Sequence, residues 1–362
     1  MSSKLLIKLD LEHYRVWMED QKVDFTKWFP DETGVHDHAQ TGSWNISEQY
    51  HDTTWITNEA LSHLESIPND EPWFSWVSYN DPHEPFVCPE PWFSQVDTDA
   101  LPMREGYREG EFADKPFFYS EVYESPGSGW SESWRDSSGH DVPCAYSRKD
   151  LSGKEREAMQ ATLGMVAMID HHVGRLIDHL EATGLAENTL IIFTSDHGEL
   201  HGQHGLWHKG LFAYEEVQRI PFLAWGPGLI RRPSGSGALV NLVDLPKTFL
   251  SLAGLPIPQS IQGCDLTPIL TGQCDTVRDA TTVELQATQK VYQLTLITET
   301  HKLVVYRNQD YGELYDLEKD PDQYVNLWAL PDCAGTKSEL LLKLAQTRLK
   351  EEGHTHPRKA YA

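Results

Sequence analysis

The stretch from Thr189 to Arg219, TLIIFTSDHGELHGQHGLWHKGLFAYEEVQR, limits what this chain can fold into more than any other. Leu190, Ile191, Ile192 and Phe193 are consecutive and apolar, a pattern that suits a strand buried on both faces of a mostly parallel sheet. Asp196 and His197 stand where that strand should stop, and Gly198 lets the backbone turn. Open α/β sheets gather ligands at the carboxyl ends of their strands, and a carboxylate beside an imidazole there suits a divalent metal. The pair could instead cap the next segment. The residues that follow favour chemistry: after Gly202, His204 and Gly205 comes Lys209, thirteen positions past Asp196, a cation able to reach an anionic group held beside the metal.

A second strand end carries a histidine. Trp73–Tyr79 is aromatic and apolar enough for a buried strand, and it runs into Asn80-Asp81-Pro82-His83-Glu84-Pro85-Phe86. Around these two strand ends the pattern predicts helices over 53–67, stopped by Pro68, over 151–181, and over 244–254, with a core strand over 220–225. Asp170, His171 and His172 are adjacent on a helix and point in different directions, so they read as helix surface rather than as one ligand set. Residues 1–50 show no clear period and read as irregular surface. Residues 89–146 are aromatic and irregular, either a cover for the core or a substrate-shaping lid.

Residues 256–272 are loop-rich and mark a domain boundary. Beyond them, strands over 281–285, 291–298, 302–306 and 313–317 and a helix over 337–350 predict a small antiparallel α+β subdomain. The expected organisation is therefore an α/β core over 1–272 and a subdomain over 273–362.

Composition restricts the partners. A formal net charge of −25 argues against nucleic-acid binding, and it requires local Lys, His and metal charge to overrule the global field before an anionic substrate is attracted. Five cysteines with no C-x-x-C spacing indicate neither a disulfide framework nor a zinc site, although a Cys264–Cys274 bridge stays open. The apolar patch Leu5–Leu9, broken by Lys8, is too short for a signal peptide or a membrane helix, so the compartment is not legible.

With these residues in place the chain resembles the sulfatase family of the alkaline-phosphatase-like superfamily. The resemblance rests on Asp196-His197-Gly198 with Gly205 and Lys209, on Pro72–Phe86 with its Pro-His-x-Pro-Phe run, and on ELYDLEKDP at 313–321 with Asn326-Leu327. It implies an α/β fold with a mostly parallel central sheet flanked by helices, and a C-terminal antiparallel subdomain. It also implies that Asp196 and His197 bind a divalent cation, calcium first, with manganese, magnesium or zinc as alternatives. His83 and Lys209 would contact the sulfate and take part in catalysis, with His204 and His208 as lesser substrate contacts. The implied substrate is a sulfate ester, either a sulfated carbohydrate or an aryl sulfate, with no nucleic acid or membrane partner.

The family's nucleophile is a formylglycine made within Cys-x-Pro-x-Arg, and no such segment precedes His83. Asp10, ending LLIKLD, faintly resembles a family metal ligand. Cys144 and Arg148 have the right mutual spacing but lack the Pro and fall out of order. The expectation is a C-terminal portion of a sulfatase. The alternatives are a phosphonate or phosphate ester hydrolase of the same superfamily, and an inactive pseudoenzyme or binding domain.

Overall fold

The computed structural model describes residues 11–23, 41–45, 47–68, 71–124, 146–147, 151, 153–230, 235–286 and 292–351. In chain order the elements are α1 (Leu11–Asp20), β1 (Thr41–Trp44), α2 (Asp52–Ser66), β2 (Phe86–Pro89), α3 (Phe117–Glu124), β3 (Tyr146–Ser147), α4 (Glu155–Ala182), β4 (Ile191–Thr194) and β5 (Leu206–Trp207). There follow α5 (Glu215–Gln218), β6 (Phe222–Trp225), α6 (Leu245–Leu252), α7 (Thr267–Leu270), β7 (Thr281–Gln286), β8 (Tyr292–Ile297), β9 (His301–Tyr306), β10 (Gly312–Asp316) and α8 (Ala334–Glu351). The chain divides into two compact units, Met1–Arg104 with Asp150–Glu187, and Glu105–Lys149 with Asn188–Ala362.

In the first unit, α4 buries Ala158, Met159, Ala161, Met165, Met168 and Ile169 at helical spacing and packs on β1 and β2. Those strands are parallel, in register from Thr41↔Phe86 to Trp44↔Pro89. The approach is close at Gly164, where a β-carbon would lie 2.8 Å from both Cys88 Sγ and the Trp92 carbonyl oxygen. The sequence pattern gave no helix in residues 1–50, yet α1 forms and sets Tyr14 and Met18 against Trp55 of α2. Two buried residues four apart among charged ones are too faint a period to detect.

His172 also differs from its expectation. Asp170 and His171 are exposed, but His172 is buried. Its Nδ1 accepts from Arg175 at 3.0 Å, and Nε2 lies 3.1 Å from Thr54 Oγ1. Burial, with Arg175 adding, pushes its pKa down to about 4. Residues 73–79 alternate between exposed and half-buried as an extended chain does, and Phe74 and Trp76 are more than half exposed. Among the described residues this segment joins no ladder, so the expected buried strand is extended but not enclosed.

In the second unit, β4 pairs with β6 antiparallel, from Ile191↔Trp225 to Thr194↔Phe222, and both strands are half-exposed or more. The consecutive apolar residues 190–193 predict a strand buried in a parallel sheet, and the ladder is antiparallel instead. The chain between them doubles back, which brings β6 to β4 in the opposite direction. The C-terminal sheet has the order β10-β9-β8-β7 with every pair antiparallel, as the alternating pattern predicts.

The two faces of that sheet differ in kind. Leu296, Leu303 and Leu314 meet Leu340 and Leu344 of α8. Register and strand alternation put Gln293, Thr295, Lys302, Val304, Tyr306, Glu313 and Tyr315 on the opposite face. There Val304 and Tyr306 join an aromatic cluster with Phe112, Phe118, Tyr119, Phe212 and Tyr214. Each such side chain contributes about 1.5–3 kcal/mol on burial. Within the aromatic stretch, Phe112, Phe118, Tyr119 and Val122 are thus core rather than lid. Cys264 and Cys274 are free thiols.

The polar face closes on Glu313, which is fully buried. Its carboxylate accepts from Tyr119 Oη at 3.0 Å and from the hydroxyls of Tyr306 and Tyr315. Burial, with Glu313 adding, holds all three hydroxyls well above their ordinary pKa, so they remain donors. Lys115 Nζ donates to Tyr214 Oη at 2.9 Å and to the Gln323 carbonyl at 2.7 Å. Glu313→Gln leaves a single carbonyl oxygen for three buried hydroxyls, and an unsatisfied buried donor costs about 1–3 kcal/mol. The expected outcome is a lower urea midpoint at unchanged slope; an unchanged midpoint would remove Glu313 from the account of stability.

Candidate functional site

The turn after β4 is built on backbone contacts. Gly198 N donates to the Val217 carbonyl at 2.8 Å, and an ideal β-carbon on Gly198 would lie 1.9 Å from the Glu216 carbonyl oxygen. Only glycine lets this turn sit against α5. Asp196 Oδ1 accepts from His197 N at 2.9 Å, and Ser195 Oγ donates to the His197 carbonyl at 2.7 Å.

His197 Nδ1 lies 2.9 Å from the Gly198 carbonyl oxygen, so the proton belongs on Nδ1 and the lone pair on Nε2. Nε2 is 3.6 Å from Asp196 Oδ2. The Asp196 side chain is 83% exposed and that of His197 37%. A carboxylate oxygen and a tautomer-fixed imidazole nitrogen therefore stand side by side at the surface, a spacing one cation can bridge with bonds of about 2.0–2.6 Å.

The loop that follows bends repeatedly. His201, Gly202, His204, Gly205, His208 and Gly210 all have φ between 47° and 89°. Histidine adopts this left-handed region more readily than most residues, so part of the His/Gly density is a backbone requirement. His204 is fully buried, stacked on Tyr214 at 3.8 Å, with Nδ1 3.0 Å from Glu111 Oε1. Burial holds its pKa below the ordinary value against the opposing Glu111 hydrogen bond, so a neutral ring donates to the carboxylate. His208 is also buried, and its carbonyl accepts from Leu200 N at 3.3 Å. Of the residues singled out in this stretch, the structure brings Asp196 and His197 together at the surface. It sets His204 and His208 inside, and leaves Lys209 half-buried between β5 and α5.

His83 belongs to the first unit and is about half exposed, with Nδ1 2.8 Å from the Glu84 carbonyl oxygen and 3.2 Å from Glu84 Oε2. The residues leading to it are gripped by the start of α2, a feature the sequence did not reveal. Asn80 Nδ2 donates to Asp52 Oδ2 at 2.8 Å, and Thr53 Oγ1 donates to Asp81 Oδ2 at 2.7 Å. His51 Nδ1 lies 2.9 Å from Asp52 Oδ1 and 3.7 Å from Asp81 Oδ2. The Thr53 amide is 3.2 Å from the same Nδ1 but 3.0 Å from Asp52 Oδ1, so we read Asp52 as its acceptor and Nδ1–H as a donor.

Burial opposes charge on His51, but Asp81 and Asp52 outweigh it and lift the pKa to about 9. Burial, with Asp52 adding, raises Asp81 to about 6 against the pull of His51. These three atoms lie within 4.8 Å of one another and would admit a cation, but the charged imidazole already offsets one of the two carboxylate charges. Asp10 and Cys144 lie outside the described residues.

The sulfatase family profile matches residues 11–255, and a profile for the C-terminal region of N-sulphoglucosamine sulphohydrolase matches residues 202–350. An N-acetylglucosamine-6-O-sulfatase of Bacteroides thetaiotaomicron is 33% identical over 63% of this chain and 43% of its own length. An arylsulfatase of Clostridium perfringens is 27% identical over 85% of this chain and 62% of its own length. The chain thus spans about half of the length of these relatives. The phosphonate monoester hydrolase of Agrobacterium radiobacter superposes over 97% of this chain and 71% of its own, with a TM-score of 0.76 at 24% identity. A protein solved with its substrate D-glucosamine-2-N,6-O-disulfate superposes over 83% of this chain and 69% of its own, with a TM-score of 0.66 at 22% identity. The fold is therefore alkaline-phosphatase-like, α/β with a small antiparallel sheet at the C-terminal end.

The His51 cluster predicts a pH dependence. A group whose pKa is raised in the fold stabilises it fully below the unfolded value, about 6.5 for imidazole, and the benefit is lost as pH rises through the folded value of about 9. The thermal midpoint is expected to fall more steeply between pH 7 and 10 in the wild type than in His51→Gln. Equal slopes would contradict a charged, buried His51.

Proposed function

The chain belongs to the sulfatase family, and we propose that it supplies the metal-holding and sulfate-binding groups of a sulfate-ester hydrolase. The observation that supports this most directly is the Asp196–His197 pair, with Nε2 set beside a carboxylate oxygen by the Nδ1–Gly198 contact. The chemistry of that donor set fits a divalent cation. Oxygen-rich sites suit calcium or magnesium, and the imidazole also admits manganese or zinc. When bound, such an ion supplies positive charge to the sulfate oxygens as the ester bond breaks.

Lys209 places an ammonium for the sulfate on the same unit, and it acts as a point charge rather than a bidentate fork. His83 is assigned a sulfate contact through its place in the Pro-His-x-Pro-Phe run that the family resemblance rests on. With Nδ1–H directed to Glu84, the ring's lone pair lies on Nε2. His204, buried against Tyr214 and Glu111, fixes the loop that carries Lys209 rather than touching substrate, and His208 shares that role through its carbonyl. The substrate class is a sulfated carbohydrate or an aryl sulfate, as for the relatives named above.

Phosphonate esters form a second reading, favoured by the superposition on a phosphonate monoester hydrolase over 97% of this chain. Side-by-side hydrolysis of 4-nitrophenyl sulfate and a 4-nitrophenyl phosphonate monoester separates the two, and the sulfate is expected to react faster. Calorimetric titration with calcium tests the metal assignment. Asp196→Ala is expected to weaken binding by more than the roughly 10–100-fold that an outer partner is worth. Lys209→Ala is expected to weaken inorganic sulfate binding and leave calcium affinity unchanged. Calcium affinity untouched by Asp196→Ala would end the assignment.

A further inference from the structure

Lys302 is fully buried, on the polar face of β9. Its Nζ donates to the Ala213 carbonyl at 2.8 Å and pairs with Glu215 Oε1 at 2.5 Å. Both partners belong to the segment that ends in α5. Two further contacts fasten the same segment: the Glu215 amide donates to Gln323 Oε1 at 2.6 Å, and Gln218 Nε2 donates to Thr295 Oγ1 at 3.3 Å. On its other side the segment holds the Asp-His-Gly turn, because Val217 accepts the Gly198 amide and the Glu216 carbonyl fills the space where a side chain would stand. Lys209 lies only four residues upstream of Ala213.

A sheet face that needed only to be filled would carry an apolar residue at this position, since a buried ammonium must recover a large desolvation cost. The cost is real here: burial holds Lys302 below its ordinary pKa, against the opposing pull of Glu215. What the ammonium gains over a leucine is direction. It draws a backbone carbonyl and a carboxylate, two residues apart, to one point on the sheet. It thereby fixes the rotation and height of the segment on which the Asp196–Gly198 turn rests.

We infer that Lys302 is a positioning residue for the candidate site, acting through Ala213 and Glu215 to set the Asp196-His197-Gly198 turn and the approach of Lys209. The C-terminal sheet is then a working part of the site rather than an appendage. The chemical meaning of this role rests on the proposed function; the mechanical claim does not.

The test compares Lys302→Met and Lys302→Arg in the full chain. Methionine is close to lysine in volume, and the Glu215 side chain, 21% exposed, can be hydrated once its partner is gone. Amide hydrogen exchange is the first measurement. In Lys302→Met, the Gly198 and Gln218 amides are expected to exchange about tenfold faster or more, with α8 unchanged, and Lys302→Arg is expected to restore part of the protection. Calcium titration is the second, with an expected loss of about tenfold in affinity in Lys302→Met. Exchange at Gly198 and Gln218 equal to wild type would overturn the inference.

If calcium binds neither protein while exchange still rises, the positioning role stands and the metal assignment is what fails. Should Lys302→Met not fold, Glu215→Gln removes only the ionic partner. A smaller rise in exchange at the same amides is then expected, and none would overturn the inference.

Discussion

Nothing larger than a hydrogen can stand on the α-carbon of residue 198. The Glu216 carbonyl oxygen occupies that space, and the neighbouring Val217 carbonyl takes the Gly198 amide proton. This contact joins the end of β4 to the start of α5 and exposes Asp196 and His197 on its outer side. It also fixes the Gly198 carbonyl as the acceptor for His197 Nδ1, which determines the tautomer and puts the ring's lone pair on Nε2. A turn seated by backbone contacts is only as rigid as the segment beneath it, and that segment is fastened to the polar face of the C-terminal sheet.

That face carries an unusual load of buried polar groups. Glu313 collects three tyrosine hydroxyls, Lys302 collects a carbonyl and a carboxylate, and Lys115 reaches Tyr214 and the Gln323 carbonyl. Such groups add little net stability over well-packed apolar residues, and removing one partner is costly. Their use is directional. Glu313 and Lys302 tie particular atoms of the 105–124 and 209–219 segments to particular strands, and Lys115 ties those two segments to each other, which apolar packing alone would do less uniquely. The opposite face, leucine against α8, carries the ordinary hydrophobic load.

Much of this was legible in the sequence, in proportion to how local the signal is. The 28-residue helix α4, the four C-terminal strands and α8 follow from apolar periodicity, and Asp196 and His197 from their place at a strand end. Helix α1 was hidden because, among its described side chains, Tyr14 and Met18 are the buried ones, and two residues four apart make a faint period. The His51–Asp52–Asp81 cluster joins residues about thirty positions apart, and no local pattern announces it. His204 and His208 drew notice as chemistry, yet their left-handed backbone and burial are set by the winding of the loop, which only the fold displays. Lys302 read as one residue of an alternating strand. Its role depends on which face the register turned inward.

The place where a cation binds is decisive. The most direct measurement is anomalous diffraction from crystals of the chain grown with manganese as a stand-in for calcium. The account predicts a peak within about 2.0–2.6 Å of Asp196 Oδ2 and His197 Nε2. A peak among His51, Asp52 and Asp81, with none at Asp196, would contradict it.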